Sequence, residues 1–139
     1  MYETILVPTD GSDQADTALE HALSLARQHD ATVHLLYVAD SNRDSVTTLG
    51  GEVVDALEQE GKRILADTMD DLDGTVDVVD AIETGGPVET ILDYADVVEA
   101  DLIVMGTHGR RGLDRYLLGS TTERVVRLSP IPVLTIRGE

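Results

Sequence analysis

Apolar residues along this chain follow two alternating rhythms. Five stretches are short, rich in β-branched residues and bounded by polar residues, glycine or proline: Thr4 to Pro8, Thr32 to Val38, Thr75 to Ile82 (interrupted by Asp77 and Asp80), Leu102 to Met105 and Val133 to Ile136. Runs of this length and make-up predict strands, the first buried and the second buried on both faces. Between them the apolar positions recur at helical spacing. Ala15, Ala18, Leu19, Ala22, Leu23 and Ala26 make one stripe. Val54, Leu57, Ile64, Leu65 and Leu72 make a second, and Val88, Ile91, Leu92 and Ala95 a third. A last helix is expected over residues 121–128, ended by Pro130 and Pro132.

The boundaries carry their own signals. Ser12 is placed to cap the first helix, with Asp13 and Asp16 in the first turn, where the helix dipole favours them. Pro87, after Gly85-Gly86, suits the first position of the third helix. Residues 40–51 are small and polar and predict a loop. Gly61 falls inside the second helix, where it costs up to ~1 kcal/mol of propensity and suggests a close approach.

The alternation of five strands with four helices implies an α/β fold: an open, doubly wound, five-stranded parallel sheet with helices on both faces. The 139 residues, without repeat or linker, fit a single domain over 1–139. Ligands of such sheets bind beyond the carboxyl ends of the strands. Here those ends are Pro8 to Gly11, Val38 to Asp40 and Met105 to Gly109, which would converge on one crevice.

Charge and composition narrow the chemistry. There is no cysteine, so disulfides, thiolate metal sites and cysteine nucleophiles are excluded. The 27 acidic and 10 basic residues give a net charge of −17, and Lys62 is the only lysine. Such a chain repels nucleic acid and anionic membranes. Its acidity is spread along the whole length, which points to adaptation to concentrated salt, where repulsion is screened within ~3 Å at 1 M. No apolar run reaches the ~18 residues of a membrane span. Residues 1–3 open no signal peptide, so a cytoplasmic location is expected.

The informative stretch runs from Gly106 to Thr122. Two residues separate Gly106 from Gly109, nine separate Gly109 from Gly119, and Ser120 follows. Glycines let a backbone approach a phosphate, and a helix N-terminus opening at Ser120-Thr121-Thr122 offers N–H groups and hydroxyls to an anion. No lysine follows Gly119, so this is not a P-loop.

At these residues the chain resembles the universal stress protein family. The resemblance covers nearly the whole length. It rests on Ile5 to Ser12, Asp101 to Gly109, Leu117-Leu118-Gly119-Ser120 and Ser129 to Leu134, and on a gapless match to the G-x2-G-x9-G-[S/T] pattern of the ATP-binding branch. It implies a Rossmann-like strand order 3-2-1-4-5, ATP with Mg²⁺ or Mn²⁺, and a homodimer formed through Val133 to Ile136. Carried over residue by residue, Pro8, Thr9 and Asp10 would line the adenosine end, and Val38 would lie beside the adenine through its backbone. Gly106 and Gly109 would lie against ribose and phosphates, with Met105, His108 and Arg110 as further nucleotide-binding residues. Gly119, Ser120, Thr121 and Thr122 would hold the phosphates; Thr121 stands where many members have valine.

Plainer roles compete for several of these residues. Asp10 could be a turn residue, and His108 a packing contact. Ser120 and Glu123 match a capping box. Arg110, Arg111 and Arg115 could be solvated or could assist the phosphates. An ATPase or a phosphoryl- or nucleotidyl-transfer enzyme using the same crevice is the rival reading, although the chain shows no evident general base.

Overall fold

The structure is a computed structural model that describes residues 2–40, 51–107 and 119–137, with the side chains of 51–55 left aside. In chain order the elements are β1 (Thr4–Thr9), α1 (Asp13–His29), β2 (Thr32–Asp40), α2 (Gly51–Asp70), β3 (Val78–Gly85), α3 (Pro87–Val97), β4 (Leu102–Gly106), α4 (Ser120–Leu128) and β5 (Val133–Ile136). The strands form one parallel sheet in the order β3-β2-β1-β4-β5, as the resemblance implies.

Every strand is flanked by a crossover helix, so each sheet face needs its own apolar layer. Alternate residues of β1 serve the two sides: Ile5 and Val7 join α1 and α2, whereas Leu6 joins α3 and α4. Ile5, Leu6, Val7, Leu35, Leu36 and Ile103 are fully buried. Burial of such a side chain contributes about 1.5–3 kcal/mol. The α1 stripe is buried at Ala15, Ala18, Leu19, Ala22 and Ala26; four alanines among these five let the helix lie close to the sheet.

Gly61 has a specific tertiary reason. A Cβ there would stand 2.4 Å from Cδ2 of Tyr37 on β2. The propensity lost in α2 is thus exchanged for contact between the helix backbone and a ring that is 7% exposed.

Two strand boundaries differ from expectation. β2 runs on to Asp40, and β3 covers Val78–Gly85 instead of residues 75–82. Before β3, Asp73 accepts hydrogen bonds from the N–H and the hydroxyl of Thr75 (3.0 and 2.7 Å), and Arg27 Nε donates to Thr75 Oγ1 (3.0 Å). Those bonds hold residues 73–75 in a turn despite their strand-like composition. At the far end Glu83, Thr84 and Gly85 extend the strand by pairing with Val38, Ala39 and Asp40.

The amino end of the sheet is closed by a carboxylate. Asp101 Oδ2 accepts the N–H groups of Glu3 (2.7 Å) and Thr4 (2.9 Å), while the Asp101 N–H donates to Thr4 O (2.8 Å). These backbone donors, Glu3 first and Thr4 next, hold the Asp101 carboxyl below its ordinary value.

Candidate functional site

The strand order reverses between β1 and β4, so the crevice of this sheet lies beyond their carboxyl ends. Pairing of β1 with β2 continues to Thr9, opposite Tyr37. Pairing of β1 with β4 ends at Leu6 opposite Ile103, although both strands continue. Pro8, which has no N–H to donate, stands on β1 two residues beyond that last pair.

On the β1 side the chain turns sharply into α1. Thr9 is buried, and its Oγ1 accepts the Gly11 N–H (3.1 Å). Asp10 Oδ1 accepts the Ser12 N–H (2.9 Å), so it does serve as a turn residue. Ser12 caps α1 as expected: its hydroxyl accepts from the Ala15 N–H (3.2 Å). Asp16 lies above its ordinary carboxyl value through partial burial, reinforced by the charges of Asp13, Asp71, Glu20 and Asp10. Val38 is half-buried on β2, one strand further away.

The β4 side is built differently. Thr107 donates its N–H to Ile136 O (3.1 Å) and accepts the Gly119 N–H at its own carbonyl (2.6 Å). The chain therefore leaves β4 at Thr107 and returns to the same point at Gly119. His108, Gly109 and Arg110, with Arg111 and Arg115, lie outside the described residues. Gly119 is the N-cap of α4, and no side chain caps the helix. The first intrahelical bond is Glu123 N–H to Gly119 O (2.9 Å). The N–H groups of Ser120, Thr121 and Thr122 accordingly have no acceptor inside the helix. Ser120 is exposed, Thr121 half-buried and Thr122 buried.

Several expected roles are corrected by this geometry. The Ser120–Glu123 capping box does not form: Gly119 holds the cap position, and Glu123 Oε2 faces Arg127 Nε at 3.3 Å. Gly119 has φ −63° and ψ 155°, an extended conformation open to any residue, so positive φ is not its reason for being glycine. The Met105 side chain is 6% exposed and packed in the α3/α4 core, so only its backbone is left to meet a ligand. The Thr122 hydroxyl is not free for a ligand to take as a donor, because it donates to Gly106 O (2.9 Å).

Gly106 has a structural reason that its place in the glycine pattern did not reveal. A Cβ there would meet Gln14 Cβ at 3.0 Å and Gln14 O at 3.1 Å. The glycine lets the end of β4 touch the backbone of α1. Gln14, which sequence reasoning missed, also receives a 3.4 Å bond at Oε1 from the Thr107 hydroxyl. Nothing in the local sequence marks it, since it is an ordinary polar residue in a first helical turn.

Chemically, the arrangement offers a strand end that is acidic at α1 and has free N–H donors at α4. It suits an elongated ligand with one anionic end. Among the described residues no three histidines, aspartates or glutamates gather as a metal site. None of the described helices is long and apolar enough to cross a membrane.

Comparisons with known proteins agree in one direction. The model of the universal stress protein family matches residues 1–137. A universal stress protein of Methanocaldococcus jannaschii is 37% identical over 142 residues, covering 99% of this chain and 83% of that one. The solved structure of a second protein of that organism superposes with a TM-score of 0.89 at 35% identity, covering 100% of this chain and 98% of the other. A universal stress protein solved in complex with cAMP gives a TM-score of 0.76 at 28% identity, over 99% of each chain.

Proposed function

This chain belongs to the universal stress protein family, and from that premise we propose that it is an ATP-holding module of stress response or signalling. The observation that carries the reading is the open start of α4 at the point of strand reversal. Three N–H groups without helical acceptors stand there, beside an exposed serine and a cap residue with no side chain. The cAMP complex of a relative supports an adenine nucleotide as the ligand class.

The phosphates lie at Gly119, Ser120 and Thr121, and the uncharged adenosine end lies toward Pro8, Thr9, Asp10 and Val38. This polarity follows from charge, because the α1 side carries Asp10, Asp13 and Asp16. With a net charge of −17, long-range attraction cannot bring ATP in. Short-range donors and a divalent ion must hold it, and Mg²⁺ or Mn²⁺ would be carried mainly by the phosphates.

The same reading takes in assembly and habitat. β5 is an edge strand without charge, and Leu134 on it is 38% exposed; Val126 and Leu128 of α4 are 43% and 51% exposed. The opposite edge, β3, carries Asp80 and Glu83, which discourage pairing. A homodimer through Val133–Ile136 covers the uncharged edge, and Leu134→Pro should shift light scattering from dimer to monomer. A wild-type monomer in concentrated salt refutes the dimer. The acidity fits a single cytoplasmic domain working in concentrated salt, with neither nucleic acid nor membrane as partner; its thermal midpoint should rise from low to multi-molar KCl.

Mass spectrometry of the small molecule released on denaturation, followed by calorimetric titration with ATP in concentrated KCl, tests the central reading. Released adenine nucleotide and a saturable heat are expected. Neither nucleotide nor heat would remove the proposal.

A further inference from the structure

Thr122 is the third residue of α4, yet its side chain does not behave like that of an ordinary helix-start threonine. It is 5% exposed, and its hydroxyl crosses to a strand, donating to Gly106 O at 2.9 Å. A threonine hydroxyl in a helix more often turns back to a carbonyl of its own helix, three or four residues earlier. One residue along, the Gly119 N–H donates to Thr107 O at 2.6 Å. Two consecutive carbonyls at the exit of β4 thus hold the first turn of α4.

Those carbonyls are themselves fixed. Gly106 is wedged against Gln14 of α1, with only 3.0 Å between the Gln14 Cβ and the place where a Cβ would stand. Thr107 is tied to β5 through Ile136 O at 3.1 Å. The start of α4 is therefore referenced to three neighbouring elements, and Thr122 supplies the one side-chain bond from the helix to β4 among the described residues.

We propose that Thr122 is the positioning residue of the phosphate site: its buried hydroxyl, bonded to Gly106 O, sets the place and direction of the Ser120 and Thr121 N–H donors without touching the ligand through that hydroxyl. The inference rests on the nucleotide reading above. Donors that bind by short-range contact need placement within about 0.5 Å, and a helix start capped by glycine has no side chain of its own cap residue to secure it. The role differs from the one the motif suggests, in which the hydroxyl of Thr122 is itself a phosphate donor.

Calorimetric titration of ATP and of adenosine, each against wild type, Thr122→Val and Thr122→Ser in concentrated KCl, separates the possibilities. Thermal unfolding runs in parallel. Wild type should prefer ATP to adenosine. Valine keeps the shape and removes the donor, so the ATP-to-adenosine affinity ratio should fall by about tenfold, the worth of one bond to a charged group. Serine should retain the ratio. A purely structural role would lower the melting temperature and leave the ratio unchanged, and that result overturns the proposal. If the valine variant does not fold, Thr122→Cys replaces it, since a thiol is a weak donor. A narrowed ratio in cysteine but not in serine supports the role, and equal ratios overturn it. A wild-type chain that binds neither ligand defeats the nucleotide reading itself, a failure distinct from equal ratios among variants that do bind.

Discussion

α1 and α4 both begin at the carboxyl end of the sheet, after adjacent strands, and they are finished in opposite ways. At α1 the chain uses its own oxygens. Ser12 caps the Ala15 N–H, Asp10 takes the Ser12 N–H, and Asp13 and Asp16 occupy the first turn. Partial burial, and after it the crowded negative charge of Asp13, Asp71, Glu20 and Asp10, hold the Asp16 carboxyl above its ordinary value. At α4 the cap is glycine, no side chain caps the helix, and the first-turn acid Glu123 faces Arg127. Under the proposed function, this difference is what would let a chain of net charge −17 hold an anion. Its own carboxylates must satisfy donors elsewhere and leave one set unclaimed.

The largest effect should come from filling the open start. Gly119→Val puts a branched side chain at the cap of α4, and ATP affinity should fall about a hundredfold or more, as two charge-assisted bonds are lost. The fold should survive in circular dichroism, because φ −63° and ψ 155° suit valine. A valine variant that binds ATP like wild type would erase the contrast between the helices.

A carboxylate that closes donors at the other end of the sheet should behave as a stability element only. Asp101→Ala removes the acceptor for the Glu3 and Thr4 N–H groups and should cost about 1–3 kcal/mol in denaturant unfolding, with ATP affinity unchanged. The pH dependence has a definite sign. The folded-state carboxyl lies below its ordinary 3.8, so its contribution is complete above the unfolded value and is lost as pH falls through the folded one. The stability gap between wild type and Asp101→Ala should therefore be constant at neutral pH and close below about pH 4. A gap that persists in acid would assign the loss to packing.

The smallest effects form a crossed pair. Ser12→Ala should lower stability by about 1 kcal/mol and leave ATP binding alone. Ser120→Ala should leave the melting temperature alone and weaken ATP by up to about tenfold, since its hydroxyl has no partner among the described residues. If both serines affect stability, or both affect binding, the division into closed and open helix starts fails.

The elements themselves were legible because their causes are local. Hydrophobic period, the Ser12 cap and Pro87 at the first position of α3 act within a few residues, and each appears where expected. The crevice was legible too, since strand alternation dictates where connections emerge. Gly106 and Gly119 of the glycine pattern lie at that same end of the sheet, but the pattern did not disclose what they meet there.

Tertiary contact decided those roles. β3 starts three residues late because Asp73, Thr75 and Arg27 hold a turn, and Arg27 is 48 residues from Thr75. Gly61 answers to Tyr37, Gly106 to Gln14, and the Thr122 hydroxyl to Gly106. Met105 joins the core because it alternates into the α3/α4 face. Apart from the local Asp73–Thr75 bonds, the partner lies far along the chain, and a local pattern carries the need for a small or polar residue without the identity of what it meets. Periodicity is a property of neighbours in sequence, whereas steric room and hydrogen-bond partners exist only once separate elements are brought within a few ångströms.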